Sequence, residues 1–249
     1  MRKIAVQNFF TQVDFEPIAQ GRLSLCKSEI GVFRVHLANM EQWVHKKLHL
    51  LNPKERAYRQ NFLREKDRLR FAVGRICTKE IAANYLQIKP EQIQIKKGTY
   101  GKPMLLQYED TLQYNLSHSG DFVTLAFAVG AELGIDIEQM RYMRDYRSLC
   151  ACLHPYETER VLTSGNFEAF YWYWVAKEAY IKADGRGFGL NFKDFYIGTQ
   201  DKLFTKNGIE IENYHLVRIL ETEQYAEALV YRERAGVTYG EIQKKFRSV

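Results

Sequence analysis

GIDIE, at residues 134–138, is the stretch of sequence that says most about how this chain folds. Side chains of a β-strand alternate between the two faces of a sheet. This strand therefore presents its carboxylates, Asp136 and Glu138, on one face and its isoleucines on the other. Acidic residues that alternate with isoleucines usually belong to an ordinary half-exposed strand. The two carboxylates become a candidate site only if a third ligand lies beside them.

The chain before this strand alternates between helix and strand patterns. An Asn-Pro-x-Glu run at residues 52–55 supplies an N-cap, a first-turn proline and an acidic third residue, and it predicts a helix from Pro53. A second helix is predicted over residues 66–86, where apolar side chains recur near the 3.6-residue period. Strands are predicted at residues 30–37, 114–116 and 122–129. The last is apolar on both faces, as in the centre of a sheet.

The pattern of strands and helices starts again after residue 130. A strand at residues 135–137 is followed by helices from Pro155 and over residues 167–183, and by strand-like segments near Glu210 and Leu229. Residues 235–249 have little apolar pattern and are expected at the periphery. We therefore predict an α+β fold of two similar halves, residues 1–131 and 132–249.

Composition limits the class of protein. The chain has 249 residues, of which 46% are hydrophobic, and this is enough for a buried core. The formal net charge of +6 favours a polyanionic partner such as a nucleic acid, an anionic membrane or a phosphorylated cofactor. The four cysteines are too few for a disulfide framework and lack Cys-x-x-Cys spacing. Since no stretch of about 18 apolar residues occurs, we expect a cytoplasmic protein without a membrane partner.

WVAKEAYIK, at residues 174–182, predicts a helix with a second set of charges. Helical spacing aligns Trp174, Glu178 and Lys182 at successive i,i+4 positions. A glutamate four residues before a lysine is also an ordinary surface ion pair that stabilises a helix slightly. However, five consecutive aromatic side chains at residues 170–174 indicate burial on several sides of the helix. A buried glutamate and lysine need a reason to be there.

Two basic motifs lie before the GIDIE strand. LRFAVGR, at residues 69–75, places Arg70 and Arg75 on a helix, and arginine suits phosphate because its planar group donates hydrogen bonds in pairs. YGKPML, at residues 100–105, extends Lys102 from a turn made rigid by proline. Each motif alone is equally typical of a solvated helix face or an ordinary hairpin loop.

NLSHSG, at residues 115–120, places Ser117 and His118 where a strand ends in a turn. Such a junction is able to present hydrogen-bond donors to an anion. On this segment alone, a hydroxyl-capped turn with an exposed histidine is the simpler interpretation. A Ser-His catalytic pair is not supported, because adjacency in sequence does not bring a nucleophile and its base together.

In order along the chain, LRFAVGR, YGKPML, NLSHSG, GIDIE and WVAKEAYIK resemble the signature of the Sfp-type 4'-phosphopantetheinyl transferases. The resemblance implies a pseudo-two-fold α+β fold, with the active site in the cleft between two similar halves. It also implies a monomer that transfers 4'-phosphopantetheine from coenzyme A to a serine of an apo acyl, peptidyl or aryl carrier protein. The reaction would use Mg²⁺ and release adenosine 3',5'-bisphosphate.

The same resemblance implies roles for individual residues. Magnesium would be bound by Asp136, Glu138 and Glu178. Catalysis would involve Asp136, Glu178 and Lys182, with Glu178 as general base, metal ligand or both. Coenzyme A would contact Arg70, Arg75, Lys102, Ser117, His118, Lys177 and Lys182. The chain departs from the family around Glu55 and Tyr58, where some members carry lysines for the 3'-phosphate, and Arg56, Arg59 or Arg70 would substitute.

The main alternative is a basic nucleic-acid-binding module, suggested by the positive charge and the aromatic content. No RRM, KH or zinc-finger motif occurs, and we expect no nucleic-acid partner. A P-loop kinase is disfavoured because the chain lacks Gly-x-x-x-x-Gly-Lys-Ser/Thr. A family member that has lost turnover is also disfavoured, because every proposed ligand type is present.

Overall fold

The computed structural model describes residues 1–9, 23 and 28–234. These residues belong to two compact units, the first drawn from residues 1–96 and 103–130 and the second from residues 97–102 and 131–234. Helices and sheets occur in both units, and the predicted α+β class is confirmed. The division into halves at residue 131 and their pseudo-two-fold relation stay predictions.

Six strands occur among the residues before 130 that the structure describes. They are β1 (Lys3–Phe9), β2 (Glu29–His36), β3 (Ile95–Lys97), β4 (Pro103–Leu105), β5 (Leu112–Ser119) and β6 (Phe122–Val129). The main sheet has the order β1-β2-β6-β5, with β1 parallel to β2 and the other neighbours antiparallel. Strand β6 therefore lies inside the sheet, as its two apolar faces predicted. Strands β3 and β4 pair separately.

In the described residues of the first unit, α-helices lie at Glu41–Lys47 (α1), Pro53–Gln60 (α2) and Glu65–Leu86 (α3). The predicted cap of α2 is confirmed, because the Asn52 side chain accepts from Glu55 N at 2.9 Å and Glu55 accepts from Asn52 N at 2.9 Å. Helix α3 packs its apolar side chains, among them Val73 and Ile76, into one buried cluster with Val123 of β6.

The second unit contains the strands β7 (Ala131–Gln139), β8 (Phe195–Ile197), β9 (Leu203–Thr205), β10 (Tyr214–Glu221) and β11 (Tyr225–Glu233). Its helices are α4 (Tyr146–Leu149), α5 (Pro155–Ser164) and α6 (Phe167–Asp184). The antiparallel sheet has the order β10-β11-β7, and β8 pairs with β9. Short 3₁₀ turns occur at Leu48–Leu50, Pro90–Gln92, Cys150–Cys152, Gly187–Gly189, Phe192–Asp194 and Thr199–Asp201.

The predicted strand near Leu229 is confirmed as β11, but the strand predicted near Glu210 is wrong. Glu210 makes only an isolated bridge with Phe204, and β10 begins at Tyr214. Between Glu210 and β10 the chain turns at Asn213, whose φ of +69° interrupts an extended course. Residues 235–249, predicted to be peripheral, lie outside the described residues.

Helix α6 covers one face of the three-stranded sheet. Ala226, Ala228 and Val230 of β11 belong to the same buried cluster as Val175 and Ala179 of the helix. No helix in the described part of the chain is both long and apolar enough to cross a membrane.

Candidate active site

Strand β7 and helix α6 approach each other closely at Gly134. A Cβ atom at this position would lie 2.1 Å from Ala179 O and 2.4 Å from Ala183 N, which no side chain tolerates. Glycine is therefore required where the strand meets the helix backbone. Because side chains alternate along a strand, Gly134 and Asp136 share a face, and the close approach brings α6 alongside the carboxylate.

Asp136 and Lys182 form the central contact between this strand and this helix. Lys182 Nζ donates to Asp136 Oδ1 at 2.6 Å and to Ile135 O at 3.3 Å. The Asp136 side chain is only 6% exposed, so its charge is held in a poorly solvated position beside the ammonium group. A short hydrogen bond between ionised groups is stronger than one between neutral groups.

Glu178 lies one helical turn before Lys182 on the same face of α6. Burial raises the pKa of the Glu178 carboxyl, the Lys182 ammonium lowers it and the Asp136 carboxylate raises it again, with a net upward shift. Helix and strand thus bring two carboxylates and one ammonium group within electrostatic range of each other. A carboxylate with a raised pKa accepts a proton more readily near neutral pH.

Glu138 follows Asp136 by two residues and therefore lies on the same face of β7. Its side chain is half-buried. The cross-strand partners of Glu138 and Asp136 are Ala226 and Ala228 of β11. These small side chains share the face of the two carboxylates, and both are buried in the cluster with α6.

The donor chemistry of this face fits magnesium. Magnesium prefers oxygen ligands and is commonly held by one or two carboxylates, with waters and substrate phosphates in the other positions. Asp136 and Glu178 provide two such carboxylates side by side. As the side chains stand, no group of three His, Cys, Asp or Glu residues within the described ranges is arranged to hold a metal ion. A bound phosphate would therefore have to supply part of the coordination.

Lys102 brings a second ammonium group to strand β7. Its Nζ donates to Leu133 O at 2.9 Å and lies 3.9 Å from Glu132 Oε2. Burial lowers the pKa of Lys102 to about 8, although Glu132 opposes the shift. Lys102 and Lys182 bond to carbonyl groups two residues apart, which point to the same edge of a strand.

Arg70, Arg75 and His118 line a cavity of about 130 Å³ in the first unit. Arg70 is held by Asp67 and by a 2.8 Å hydrogen bond from Nη2 to Gly120 O. Among the residues that the structure describes, its buried Nε has no hydrogen-bond partner. The Arg75 guanidinium lies over the Phe71 ring. A buried donor without an acceptor is costly, and an anion in the cavity would satisfy it.

Ser117 does not line this cavity. It is 9% exposed, and strand alternation places it on the face of β5 opposite to Leu116 and His118, which do line the cavity. The sequence placed Ser117 and His118 together because they are neighbours, whereas the strand sends their side chains in opposite directions.

Lys177 lies in an environment that disagrees with its predicted contact to coenzyme A. The side chain is 0% exposed, and its Nζ lies 2.8 Å from Glu157 Oε2 and donates to Phe195 O at 2.7 Å. The ammonium group is also 4.1 Å from the centroid of the Phe195 ring. No part of Lys177 is accessible to a ligand. Its partner Glu157 was not predicted, although His-Pro-x-Glu at residues 154–157 repeats the pattern of residues 52–55.

Comparison with known proteins agrees with the ordered motifs. Residues 38–130 match the family described as "4'-phosphopantetheinyl transferase, N-terminal", and residues 132–230 match the "4'-phosphopantetheinyl transferase superfamily". The chain is 32% identical over 171 residues to the 4'-phosphopantetheinyl transferase HetI of Nostoc sp., a match that covers 66% of this chain and 72% of the relative.

Two further relatives carry related names. A phosphopantetheinyl transferase of Thraustochytrium sp. is 28% identical over 222 residues, which cover 75% of this chain and 77% of the relative. The 4'-phosphopantetheinyl transferase Sfp of Bacillus subtilis is 26% identical over 158 residues, which cover 59% and 66%. The chain belongs to the 4'-phosphopantetheinyl transferase family and is a transferase. The resemblance inferred from its five motifs is thereby confirmed. Its monomeric state, cytoplasmic location and lack of a nucleic-acid partner stay predictions.

Proposed function

We propose that this protein transfers the 4'-phosphopantetheine group of coenzyme A to a serine hydroxyl of an apo acyl, peptidyl or aryl carrier protein. Adenosine 3',5'-bisphosphate leaves, and Mg²⁺ is required. Membership of the family supports the class of reaction. The observation that carries the proposal is the contact of α6 with β7, which sets Glu178 and Lys182 beside Asp136.

Asp136, Glu138 and Glu178 are the residues that would hold the magnesium ion. When bound, Mg²⁺ would stabilise the negative charge that develops on the diphosphate during transfer. The nearby carboxylates repel each other, and the raised pKa of Glu178 reflects this repulsion together with burial. A divalent cation relieves the repulsion.

Glu178 is proposed as the general base. It takes the proton of the carrier serine, whose oxygen then bonds to the β-phosphorus of coenzyme A. The bond from that phosphorus to the bridging oxygen breaks, and the bridging oxygen leaves with the α-phosphate of the bisphosphate. The raised pKa of Glu178 suits a base that works near neutral pH. The proton remains on Glu178 until solvent removes it.

Lys182 and Lys102 are proposed to neutralise the phosphate oxygens. Both ammonium groups are held at β7 by carbonyl oxygens, Lys182 at Ile135 and Lys102 at Leu133. A cation that is already positioned stabilises developing charge without reorganising during the reaction. Loss of either lysine removes part of this stabilisation.

The cavity of Arg70, Arg75 and His118 is proposed to bind a phosphate group at the nucleotide end of coenzyme A. Its volume of about 130 Å³ suits a phosphate group and not a whole nucleoside. The buried Arg70 Nε points to an anionic occupant, and arginine binds phosphate through paired hydrogen bonds. Glu55 is occupied as the buried cap of α2, which agrees with the absence of a phosphate-binding lysine there.

The direct test is the mass of an apo carrier protein after incubation with this protein, coenzyme A and Mg²⁺. We expect a gain of roughly 340 Da on the carrier serine, lost when EDTA removes the metal. The variant Asp136→Asn serves as a control for contaminating activity, since it removes a proposed ligand. No mass gain on acyl, peptidyl or aryl carriers by the folded protein would contradict the proposal.

A further inference from the structure

Helix α6 has no single apolar stripe that would set its rotation about its own axis. Ten of its residues are buried, and at 3.6 residues per turn they cover roughly three-quarters of its circumference: Phe170, Tyr171, Trp172, Tyr173, Val175, Ala176, Lys177, Ala179, Tyr180 and Ala183. The remaining side is half-buried and is itself largely apolar, with Phe167, Trp174 and Ile181. Burial of the apolar stripe determines which side of an amphipathic helix faces the core. A helix with apolar residues on all sides lacks this constraint. Hydrophobic burial alone therefore does not decide which side chains of α6 face β7.

The buried pair of Glu157 and Lys177 supplies a directional contact that the apolar residues lack. Lys177 Nζ is bonded to Glu157 and to Phe195 O of β8. Glu157 also accepts from Ile197 N of β8 at 2.8 Å and from His154 N at 3.1 Å, just before α5. Both side chains are 0% exposed. The pair thus ties α6 to α5 and to β8 at a single position of the helix.

This contact determines where the next residue points. Successive side chains on an α-helix are about 100° apart, so Lys177 anchored at β8 directs Glu178 to another side of the helix. Lys182 bonds to Asp136 of β7, and Glu178, one turn earlier, lies within electrostatic range of the same carboxylate. The glycine at residue 134 sets the distance between helix and strand, and Lys177 sets the rotation.

We propose that Glu157 and Lys177 are positioning residues, which hold α6 in the rotation that places Glu178 and Lys182 at Asp136. The inference rests on the proposed function, in which these groups carry the reaction. A buried ion pair often contributes little net stability compared with apolar residues of similar size, whereas it is able to specify one arrangement among several. Residues that orient a metal site from outside it commonly change affinity or activity by about 10- to 100-fold.

The deciding variant is the double substitution Glu157→Leu/Lys177→Met, which removes both charges and leaves no buried charge unpaired. We expect a folded protein, because apolar residues of similar volume replace the pair, with a Tm below that of the wild type, because Ile197 N and His154 N lose their acceptor. We further expect kcat and Mn²⁺ affinity, the latter measured by titration calorimetry, to fall about 10- to 100-fold. A role in stability alone predicts no change in either quantity.

The matched control is Lys47→Met/Glu80→Leu, which removes an ion pair from α3 in the first unit. Its Mn²⁺ affinity and kcat are expected to equal those of the wild type. If the Glu157/Lys177 double variant folds and keeps both quantities, the positioning role is overturned. If it fails to fold, Glu157→Gln/Lys177→Met decides, since it also removes both charges and glutamine keeps an acceptor for Ile197 N. We expect a smaller loss in the same direction, and full Mn²⁺ affinity and kcat would overturn the proposal.

The wild-type protein separates the two proposals. If the wild type transfers phosphopantetheine and the Glu157/Lys177 double variant keeps its kcat and Mn²⁺ affinity, the proposed function stands and the positioning role is removed. Absence of Mg²⁺-dependent transfer by the folded wild type removes the proposed function itself.

Discussion

The two units hold their long helices, α3 and α6, by the same arrangement of residues. Helices α2 and α5 each begin with a proline and carry a buried glutamate at the third position, Glu55 and Glu157. Each glutamate lies 2.8 Å from the ammonium of a buried lysine on the long helix, Lys79 or Lys177. Each lysine also donates to a backbone carbonyl, at 2.6 Å in the first unit and 2.7 Å in the second.

The difference lies in the residue that follows the lysine. It is a glutamate in both helices, but Glu80 is bonded by Lys47, whereas Glu178 lies beside the carboxylate of Asp136 and has a raised pKa. In the first unit the carboxylate is neutralised by a lysine. In the second unit, the carboxylate of Glu178 interacts electrostatically with Lys182 and with the carboxylate of Asp136. The shared anchor therefore determines the placement of the helix, and the group opposite the glutamate determines whether chemistry is possible there.

The largest expected difference between the units is the effect on kcat of substituting Glu178 of α6 and Glu80 of α3. Glu178→Gln should lower kcat for phosphopantetheine transfer by about 10²- to 10⁴-fold, because the proposed general base and a metal ligand are lost. Glu80→Gln should leave kcat unchanged, since its carboxylate pairs with Lys47 and belongs to no part of the proposed site. The measurement is the rate of mass gain on a carrier protein. Near-normal turnover by Glu178→Gln would refute the assignment of Glu178.

One glycine in each unit, Gly74 within α3 and Gly134 of β7 against α6, offers a smaller contrast, in stability. Gly134→Ala forces a Cβ to 2.1 Å from Ala179 O and should destabilise the protein by about 1–3 kcal/mol. Gly74→Ala makes only ordinary contacts, with Leu116 Cδ1 at 3.5 Å and Val123 Cγ1 at 3.8 Å, and should raise stability by up to about 1 kcal/mol, since alanine is the better helix former. Thermal unfolding of both variants tests this. A stable Gly134→Ala protein would show that the helix and strand need not be so close.

The smallest expected effect concerns the caps of α2 and α5. Asn52 caps the first, and His154 Nδ1 accepts from Tyr156 N at the second. Burial and then Lys177 lower the pKa of His154 below 6.5 in the folded protein. In acid, the unfolded chain therefore binds more protons at His154 than the folded protein does. The contribution of His154 to the free energy of unfolding is complete above about pH 6.5 and decreases as the pH falls below that value.

The asparagine cap of the first unit provides the control for this prediction. His154→Asn should remove the acid-dependent loss of stability, because asparagine does not titrate. Below pH 6.5 the Tm of the wild type should therefore fall relative to that of the variant by about 2 °C, given about 1 kcal/mol for a cap. Thermal scans between pH 5 and pH 8 measure it. A difference that stays constant with pH would mean that the cap does not titrate.

Local patterns predicted much of this fold because their physical causes are local. The Asn-Pro-x-Glu run predicted the start of α2, since a cap involves only neighbouring residues. Strand alternation correctly placed Asp136 and Glu138 on one face, and helical spacing placed Glu178 and Lys182 together. Strand β1 was not predicted, and the strand near Glu210 was misplaced because a turn at Asn213 separates Glu210 from β10.

The sequence alone was sufficient to determine the class of fold, the family and the types of residue at the candidate site, because periodicity and ordered motifs are properties of the chain. It did not show whether each side chain faces the site or the core. Lys177 and Glu178 are neighbours in sequence, yet one is sealed against Glu157 and the other lies beside Asp136. Only tertiary packing distinguished the buried lysine from the glutamate at the site. Apolar residues lie on most sides of α6, so its rotation depends on contacts with β7, β8 and α5.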